Sequence, residues 1–320
     1  MTTSVTNVDE LKSELEKKRP DFAKVRQCIL RHKDLHDKQY VLHCAIRKKA
    51  TSDIIIDIIN GNPSAVQQRD SSLSLPLHAA CCYNQSKSVI QLLVKLYPLA
   101  VHVREGDTNT GWLPLHYACS FHQSHSVIQL LVKEYPLAVQ LKVDDRSYPL
   151  HMACSHNQPE SVIKLLVKEY PLAVQERNRN GSYPLHCALI NKNCDNVILT
   201  LVNLFPQAAM EEIFLHEACK YSTSEMVLLV LINLNLHVVK QWGYKFETPL
   251  CIAKRYEQST TIIKVLEELM TMSQFDLENG IGIPKIVTLH ALDNLRRLDT
   301  FRWVQYNSPI VIDGKYEQIQ

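Results

Sequence analysis

Residues Tyr148 to Val174, which read YPLHMACSHNQPESVIKLLVKEYPLAV, recur along the chain with small changes. Close copies occupy residues 75–101, 113–139 and 183–209, reading LPLHAACCYNQSKSVIQLLVKLYPLAV, LPLHYACSFHQSHSVIQLLVKEYPLAV and YPLHCALINKNCDNVILTLVNLFPQAA. The motif histidines at positions 43, 78, 116, 151, 186 and 216 are separated by 35, 38, 35, 35 and 30 residues. Such a period predicts a solenoid, because a unit this short must bury its apolar face against neighbouring copies.

Each copy predicts two short helices joined by a turn. Pro149 suits the first turn of a helix, where its missing N–H would have no partner, and Cys154 falls on the apolar face of that helix. Asn157 interrupts the helix, because asparagine adopts the left-handed conformation at low cost. Apolar residues from Val162 to Tyr170 predict a second helix, and Pro171 is expected to end it.

The PLHxAC core resembles the T-P-L-H-x-A-A signature of the ankyrin repeat, and the resemblance spans residues 38–275. The motif threonine survives only in Thr248-Pro249, and the repeats are longer than the usual length of about 33 residues. The resemblance implies an all-α fold, an ankyrin-repeat solenoid of stacked helix-turn-helix units with helical caps at both ends.

Three segments are expected. Residues 1–37 form an N-terminal helical cap, residues 38–275 the ankyrin-repeat array of about seven units, and residues 276–320 a C-terminal helical cap and tail. Both predicted caps have apolar residues at helical spacing and lack the PLH motif. Between the fourth close copy and the next repeat, only Met210 to Ile213 connect the helices. The missing loop predicts a kink or tighter stacking there.

The composition and charge of the chain argue against some classes of partner and cellular location. The 35 basic and 33 acidic residues leave a net charge of +2, which gives no electrostatic footing for a nucleic-acid partner. The first ten residues lack the pattern of a secretory signal. The longest apolar run, from Met226, falls short of a membrane span. We therefore expect an intracellular protein, cytoplasmic in preference to nuclear, that is a monomer and does not bind membranes.

Histidines and cysteines in the repeat slots raise the question of a metal or redox site. A zinc site needs four ligands around one ion, whereas these side chains occur one set per repeat. By resemblance to ankyrin repeats, the histidines tie one loop to the next by hydrogen bonds. The cysteines three residues after them (Cys81, Cys119, Cys154 and Cys219) take the slot of a small packing residue. A redox- or metal-responsive regulator using this ladder is kept as the alternative function.

No catalytic motif is recognisable, so no enzyme activity and no cofactor or metal is expected. There is no G-x-S-x-G elbow, phosphate-binding loop or CxxC pair in the sequence.

The resemblance implies a non-catalytic scaffold that binds a protein partner, of unknown identity, along the concave face of the array. The variable positions of the ankyrin consensus lie after the A-A of the motif and at the loop tips. Carried over to this chain, they give the partner-binding candidates Tyr83, Trp112, Phe121, Asp144, Asp145, His156, Arg179, Asn180, Asn191, Tyr221 and Tyr256. Aromatic residues and arginine dominate the energetics of protein interfaces, although these rings could instead pack against neighbouring loops.

Overall fold

The computed structural model describes residues 41–106, 111–211, 214–221, 224–243, 247–279 and 281–287, the strand segments 310–312 and 315–317, and positions 13, 14, 17, 20, 21 and 24. Most of the predicted N-terminal cap (1–37) lies outside the described residues. The helix predicted over Val287 to Tyr306 also lies outside them beyond Val287, which is buried.

Helices alternate in pairs, one pair to a repeat. The first helices are α1 (Val41–Arg47), α3 (Pro76–Cys82), α5 (Pro114–Ser120), α7 (Pro149–Ser155), α9 (Pro184–Ile190), α12 (Phe214–Lys220) and α14 (Pro249–Arg255). The second helices are α2 (Ser52–Gly61), α4 (Lys87–Leu96), α6 (His125–Glu134), α8 (Glu160–Glu169), α10 (Asp195–Leu204), α13 (Glu225–Leu234) and α15 (Thr260–Thr271). Two further short helices in the described residues are α11 (Pro206–Ala209) and α16 (Gln274–Asn279). The all-α repeat fold expected from the sequence is confirmed.

Five of the first helices (α3, α5, α7, α9 and α14) begin at the proline of the repeat motif, whereas α1 begins at Val41 and α12 at Phe214. The residue after α7 and its neighbour form the predicted turn, with Asn157 at a φ of 53° as expected. Equivalent positions also take left-handed conformations: Lys49, Asn84, His122, Lys192 and Glu257. One left-handed residue in each of these turns reverses the chain between the two helices.

The prolines that follow the second helices do more than end them. Helices α4, α6 and α8 stop before Tyr97, Tyr135 and Tyr170, and the next residue is a proline that opens a 3-10 helix. These 3-10 helices span Pro98–His102, Pro136–Gln140 and Pro171–Gln175, and two more span Pro63–Gln67 and Leu236–Val238. Proline fits because its fixed φ suits a helix start. The expectation of a simple stop at Pro171 was therefore incomplete.

The chain divides into two compact units. Unit 1 lies within Met1–His156 and Lys164–Tyr170, and unit 2 lies within Asn157–Ile163 and Pro171–Gln320. In unit 1 the first helices α1, α3, α5 and α7 pack side by side, and α2, α4 and α6 form a second row. The core between the rows is aliphatic, with fully buried residues such as Ile55, Ile90 and Ile128.

Unit 2 repeats this plan. Helices α9, α12 and α14 pack as a row of first helices, and α10, α13 and α15 as a row of second helices. Phe214 is fully buried at the start of α12, and Leu229 and Leu231 on α13 are equally enclosed. Helix α16 contacts the 3-10 helix Leu236–Val238.

A short antiparallel hairpin lies near the C-terminus. Strand β1 (Ile310–Ile312) pairs with β2 (Lys315–Glu317), with Val311 opposite Tyr316. The sequence predicted only a tail in this region. Among the described residues, none of the helices is long and apolar enough to span a membrane.

Candidate partner-binding surface

The motif histidines fix the loops that follow each repeat. The Nε2 atoms of His43, His78 and His116 lie 3.0, 2.9 and 2.9 Å from the carbonyl oxygens of Ser74, Val103 and Leu141. His216 makes the same contact with Gln241 at 3.1 Å. Because a carbonyl can only accept, each Nε2 must carry the proton and donate it. The hydrogen-bonded ladder implied by the ankyrin resemblance is confirmed at these histidines.

In two of these histidines, His78 and His116, the second ring nitrogen is also hydrogen-bonded. Nδ1 of His78 accepts a hydrogen bond from the backbone N–H of Leu75 at 3.1 Å, and Nδ1 of His116 accepts one from Leu113 at 3.0 Å. Each ring therefore caps its own helix and holds the next loop at once. With both nitrogens engaged, neither ring offers a lone pair to a metal ion.

Burial keeps these rings neutral. Desolvation lowers the pKa of His78 and of His116 to about 4, against the partial compensation of the hydrogen bond to the carbonyl. Burial lowers the pKa of His43 as well. These three imidazoles are thus uncharged at neutral pH, so they contribute hydrogen bonds and no charge to the surface.

A second ladder, of glutamines, was not predicted. Gln85 Nε2 donates to the carbonyl of Ile46 at 3.2 Å, and Gln123 Nε2 donates to those of Ala80 at 3.0 Å and Cys81 at 3.2 Å. Gln258 donates to Cys219 at 2.9 Å. Each glutamine follows the left-handed turn residue and reaches the end of the preceding first helix. The recurring glutamine in YNQ, FHQ, HNQ and YEQ was the available signal.

The predicted contact residues of unit 1 differ in exposure. Phe121 is 41% exposed, and His156 is exposed with its Nδ1 2.9 Å from the carbonyl of Met152. Tyr83 and Trp112 are half-buried. Asp144 and Asp145 are exposed at a loop tip, where an Asp145 carboxylate oxygen accepts from the backbone N–H of Ser147 at 2.8 Å.

Three aromatic rings form a continuous row in unit 1, which we call the aromatic row: Trp112, Tyr117 and Phe121. The ring centroids of Trp112 and Tyr117 are 4.9 Å apart and tilted by 52°. Those of Tyr117 and Phe121 are 6.0 Å apart and nearly parallel. Two members were candidates from the sequence. Tyr117, which joins them, was missed because it occupies the variable x of PLHxA.

A polar network supports the aromatic row from behind. The hydroxyl of Tyr117 donates to one carboxylate oxygen of Glu105, and the hydroxyl of Ser74 donates to the other. The pKa of Tyr117 is raised above its usual range, first by burial and second by the hydrogen bond to Glu105. The backbone N–H of Glu105 donates to the carbonyl of Trp112 at 2.8 Å. These contacts fix the position of the aromatic row within unit 1.

The base of the same loop is closed by Arg104. One Nη1 atom donates to the carbonyls of Gly111 at 2.6 Å and Lys142 at 3.2 Å. The guanidinium thus joins two successive loops, which places the loop bearing Trp112 beside the loop bearing Asp144 and Asp145.

The predicted contact residues of unit 2 are mostly polar. Arg179 and Asn180 are exposed at a turn in which the side chain of Asn178 accepts from the backbone N–H of Asn180 at 3.0 Å. Asn191 is exposed, and its amide donates to the carbonyl of Cys187 at 2.8 Å. Tyr256 is 41% exposed, and the half-buried Tyr221 carries Lys220 4.9 Å above its ring.

The cysteines of the repeat slot are packing residues. Cys81, Cys119, Cys154 and Cys219 are completely buried, and none of the nine cysteines in the described part forms a disulfide. Burial raises the pKa of the Cys219 thiol to about 12, and it raises those of Cys81 and Cys119 further. Since the thiolate is the reactive form, these thiols are inert. Within the described ranges, no group of three histidine, cysteine or acidic side chains is placed to hold a metal.

Comparison with known proteins gives one family. The family described as Ankyrin repeats (3 copies) matches residues 42–142 and 125–212, which together span more than half of the chain. A search of curated proteins finds no match.

Proposed function

Because the chain belongs to the ankyrin-repeat family, whose members are generally protein–protein interaction modules, we propose that it is a non-catalytic scaffold that binds a partner protein. The binding face is formed by the C-terminal ends of the first helices and the loop tips, the side that carries the predicted contact residues. In unit 2 taken by itself, the candidate contact residues are Arg179, Asn180, Asn191, Tyr221 and Tyr256.

The aromatic row is the observation that carries the proposal. Phe121 exposes 41% of its surface although it is a phenylalanine, and Tyr117 and Trp112 hold its ring in line. A ring that is already rigid loses little conformational entropy on binding, and burial of its exposed surface lowers the free energy of the complex. A few such residues can therefore dominate the binding free energy of an interface. Asp144, Asp145 and His156 supply a polar rim in unit 1.

Charge and cysteine content support the proposed type of partner and the proposed cellular location. The near-balanced charge favours a protein partner over a nucleic acid. The nine described cysteines form no disulfide, which fits an intracellular, cytoplasmic location, where thiols stay reduced. We propose that the chain acts as a monomer without cofactor. The alternative, a regulator that senses redox state through the cysteine ladder, is disfavoured by the burial of those thiols.

Affinity capture with the full chain as bait, followed by mass spectrometry, tests the proposal. Phe121→Ala removes the most exposed anchor and leaves the core untouched, so we expect a captured partner to bind more weakly by about 2 kcal/mol or more. That corresponds to a loss of about thirtyfold in affinity, measured by titration calorimetry with the identified partner.

Glu134→Ala is the control. Glu134 is exposed at the end of α6, a second helix. The Glu134→Ala variant should bind the partner as tightly as the unsubstituted chain does. A thermal melt of Phe121→Ala is needed beside the binding data. A loss of stability as large as that of a core leucine-to-alanine change, about 2–5 kcal/mol, would show that the ring is a packing residue and would remove the anchor from the proposal.

A further inference from the structure

The histidine ladder changes its acceptor at the repeat that lacks a loop. His186 Nδ1 accepts from the backbone N–H of Tyr183 at 3.4 Å, as in the other repeats. Its Nε2 faces a side chain, and the distance to the carboxylate oxygen Oε2 of Glu211 is 3.4 Å. Glu211 is 25 residues beyond His186, the same separation that joins His78 to Val103 and His116 to Leu141. A carboxylate therefore stands where the missing loop would supply a carbonyl.

The second oxygen of this carboxylate is bound by an arginine. Arg177 Nη2 forms an ion pair with Oε1 of Glu211, and Arg177 Nη1 donates to the carbonyl of Gly181 at 3.0 Å. The guanidinium also lies 4.3 Å above the ring of Tyr183, the residue that precedes α9. Arg177, Glu211 and His186 thus connect the loop before α9, helix α9 itself and the connection into α12, all within unit 2.

We propose that Arg177 and Glu211 form an electrostatic latch that replaces the missing loop, and that the seam between α9 and α12 opens when the latch is broken. At His43, His78 and His116 the link is a hydrogen bond between neutral groups. Here it depends on a charge pair, whose side chains are 49% and 30% exposed for Arg177 and Glu211. Exposed charge pairs are weakened by salt, whereas neutral buried hydrogen bonds are not. The seam is therefore a hinge that responds to ionic strength.

Two other charges near the seam lie on α12. Glu217 is half-buried, and its Oε2 atom has no hydrogen-bond partner among the described residues. Lys220 is exposed beside Tyr221. Arg177 supplies the cation that joins the loop before α9 to Glu211.

Hydrogen exchange of the full chain tests the latch. We expect Glu211→Gln to speed the exchange of backbone amides in α9 and α12 by about three- to tenfold, while amides of α14 and α15 change less. Raising NaCl from about 0.05 to about 0.5 M should speed the same amides in the unsubstituted chain. In Glu211→Gln this salt response should disappear, because the charge pair is already gone.

Two further variants make the outcome decisive. Glu247→Gln breaks a different ion pair of unit 2, with Arg255, and should leave α9 and its salt response unchanged. Arg177→Gln keeps the carboxylate beside His186 and should also remove the salt response. Burial is the main cause that lowers the pKa of His186, and the Arg177 charge lowers it further. This variant should therefore raise that pKa, measured by NMR of the ring. Unchanged exchange in α9 and α12 in both latch variants, or a salt response that persists in them, would overturn the proposal.

Discussion

At the scale of single residues, the small side chains after each histidine set how closely the first helices approach. Cys119 has no exposed surface and lies on α5, which packs between α3 and α7. Cys119→Ala should cost less than about 1.5 kcal/mol, whereas Cys119→Leu should overpack the helices and cost about 1–3 kcal/mol or more. Urea unfolding of both variants measures the difference. Cys194→Leu is the matched control, since Cys194 is exposed and should tolerate leucine; an equal loss at the two positions would contradict a packing role for Cys119.

Gln123 has a larger role than its place in a turn suggests. Its amide satisfies two buried carbonyl oxygens of α3, those of Ala80 and Cys81. Gln123→Ala leaves the carbonyl of Cys81 without this donor, and leaves that of Ala80 with only the backbone N–H of Gln85, which lies 3.0 Å away. Because a buried carbonyl that loses its donor carries a desolvation cost, we expect a loss of about 1–3 kcal/mol in the free energy of unfolding. Gln129→Ala, an exposed glutamine on α6, makes the same chemical change and should cost less than about 0.5 kcal/mol. Similar losses for the two variants would argue against the glutamine ladder.

At the scale of elements, the loop after a repeat must leave room for the histidine that binds it. A Cβ atom on Gly243 would lie 2.6 Å from the ring of His216, which bonds to the carbonyl of Gln241 in the same loop. Gly243→Ala should therefore displace either the loop or the ring.

We expect Gly243→Ala to lower the stability of unit 2 by about 1–3 kcal/mol, as overpacking does elsewhere. The NMR signal of the His216 ring should shift in the same variant. Gly106→Ala is a useful contrast, because nothing lies within 4 Å of a Cβ there and only its φ of +69° is unfavourable. A His216 signal that stays unchanged in Gly243→Ala would show that the loop has room for a side chain.

At the scale of the whole molecule, the neutral histidines predict an acid response. The pKa of His78 and of His116 is about 4 in the folded chain and about 6.5 in the unfolded chain. Between these values the unfolded chain binds more protons, so stability falls as pH falls. Each of these histidines should remove about 1–2 kcal/mol between pH 7 and about pH 5.

Urea unfolding at the two pH values measures this response. Glu217 acts in the opposite direction, because burial raises its pKa and protonation favours its folded state. His122→Gln is the control, since His122 is exposed and its loss should leave the acid response unchanged. Stability that stays constant between these pH values would contradict neutral buried imidazoles.

The repeat architecture could be read from the sequence because its signals lie within one repeat. The PLH motif, the turn asparagine at 157 and the apolar second helix each act over a few residues. The histidine ladder came from the family resemblance. The glutamine ladder, the link through Tyr117 and the carboxylate of Glu211 escaped notice. They join residues 12 to 43 positions apart, and the pattern of a single repeat does not show which partner a side chain will meet.

The left-handed turn residues have a consequence for how stability could be adjusted. At six described turn positions a residue other than glycine holds a φ near 55° (Lys49, Asn84, His122, Asn157, Lys192 and Glu257). This conformation costs a residue with a side chain about 1–2 kcal/mol. The effect of a substitution at one turn on the free energy of unfolding should be independent of the other turns, because interactions between repeats are local and add along the chain. Glycine placed at one, two or more of them would give a graded series of proteins with the same surface and different rigidity. The stability of the chain could therefore be adjusted one repeat at a time, through its turns.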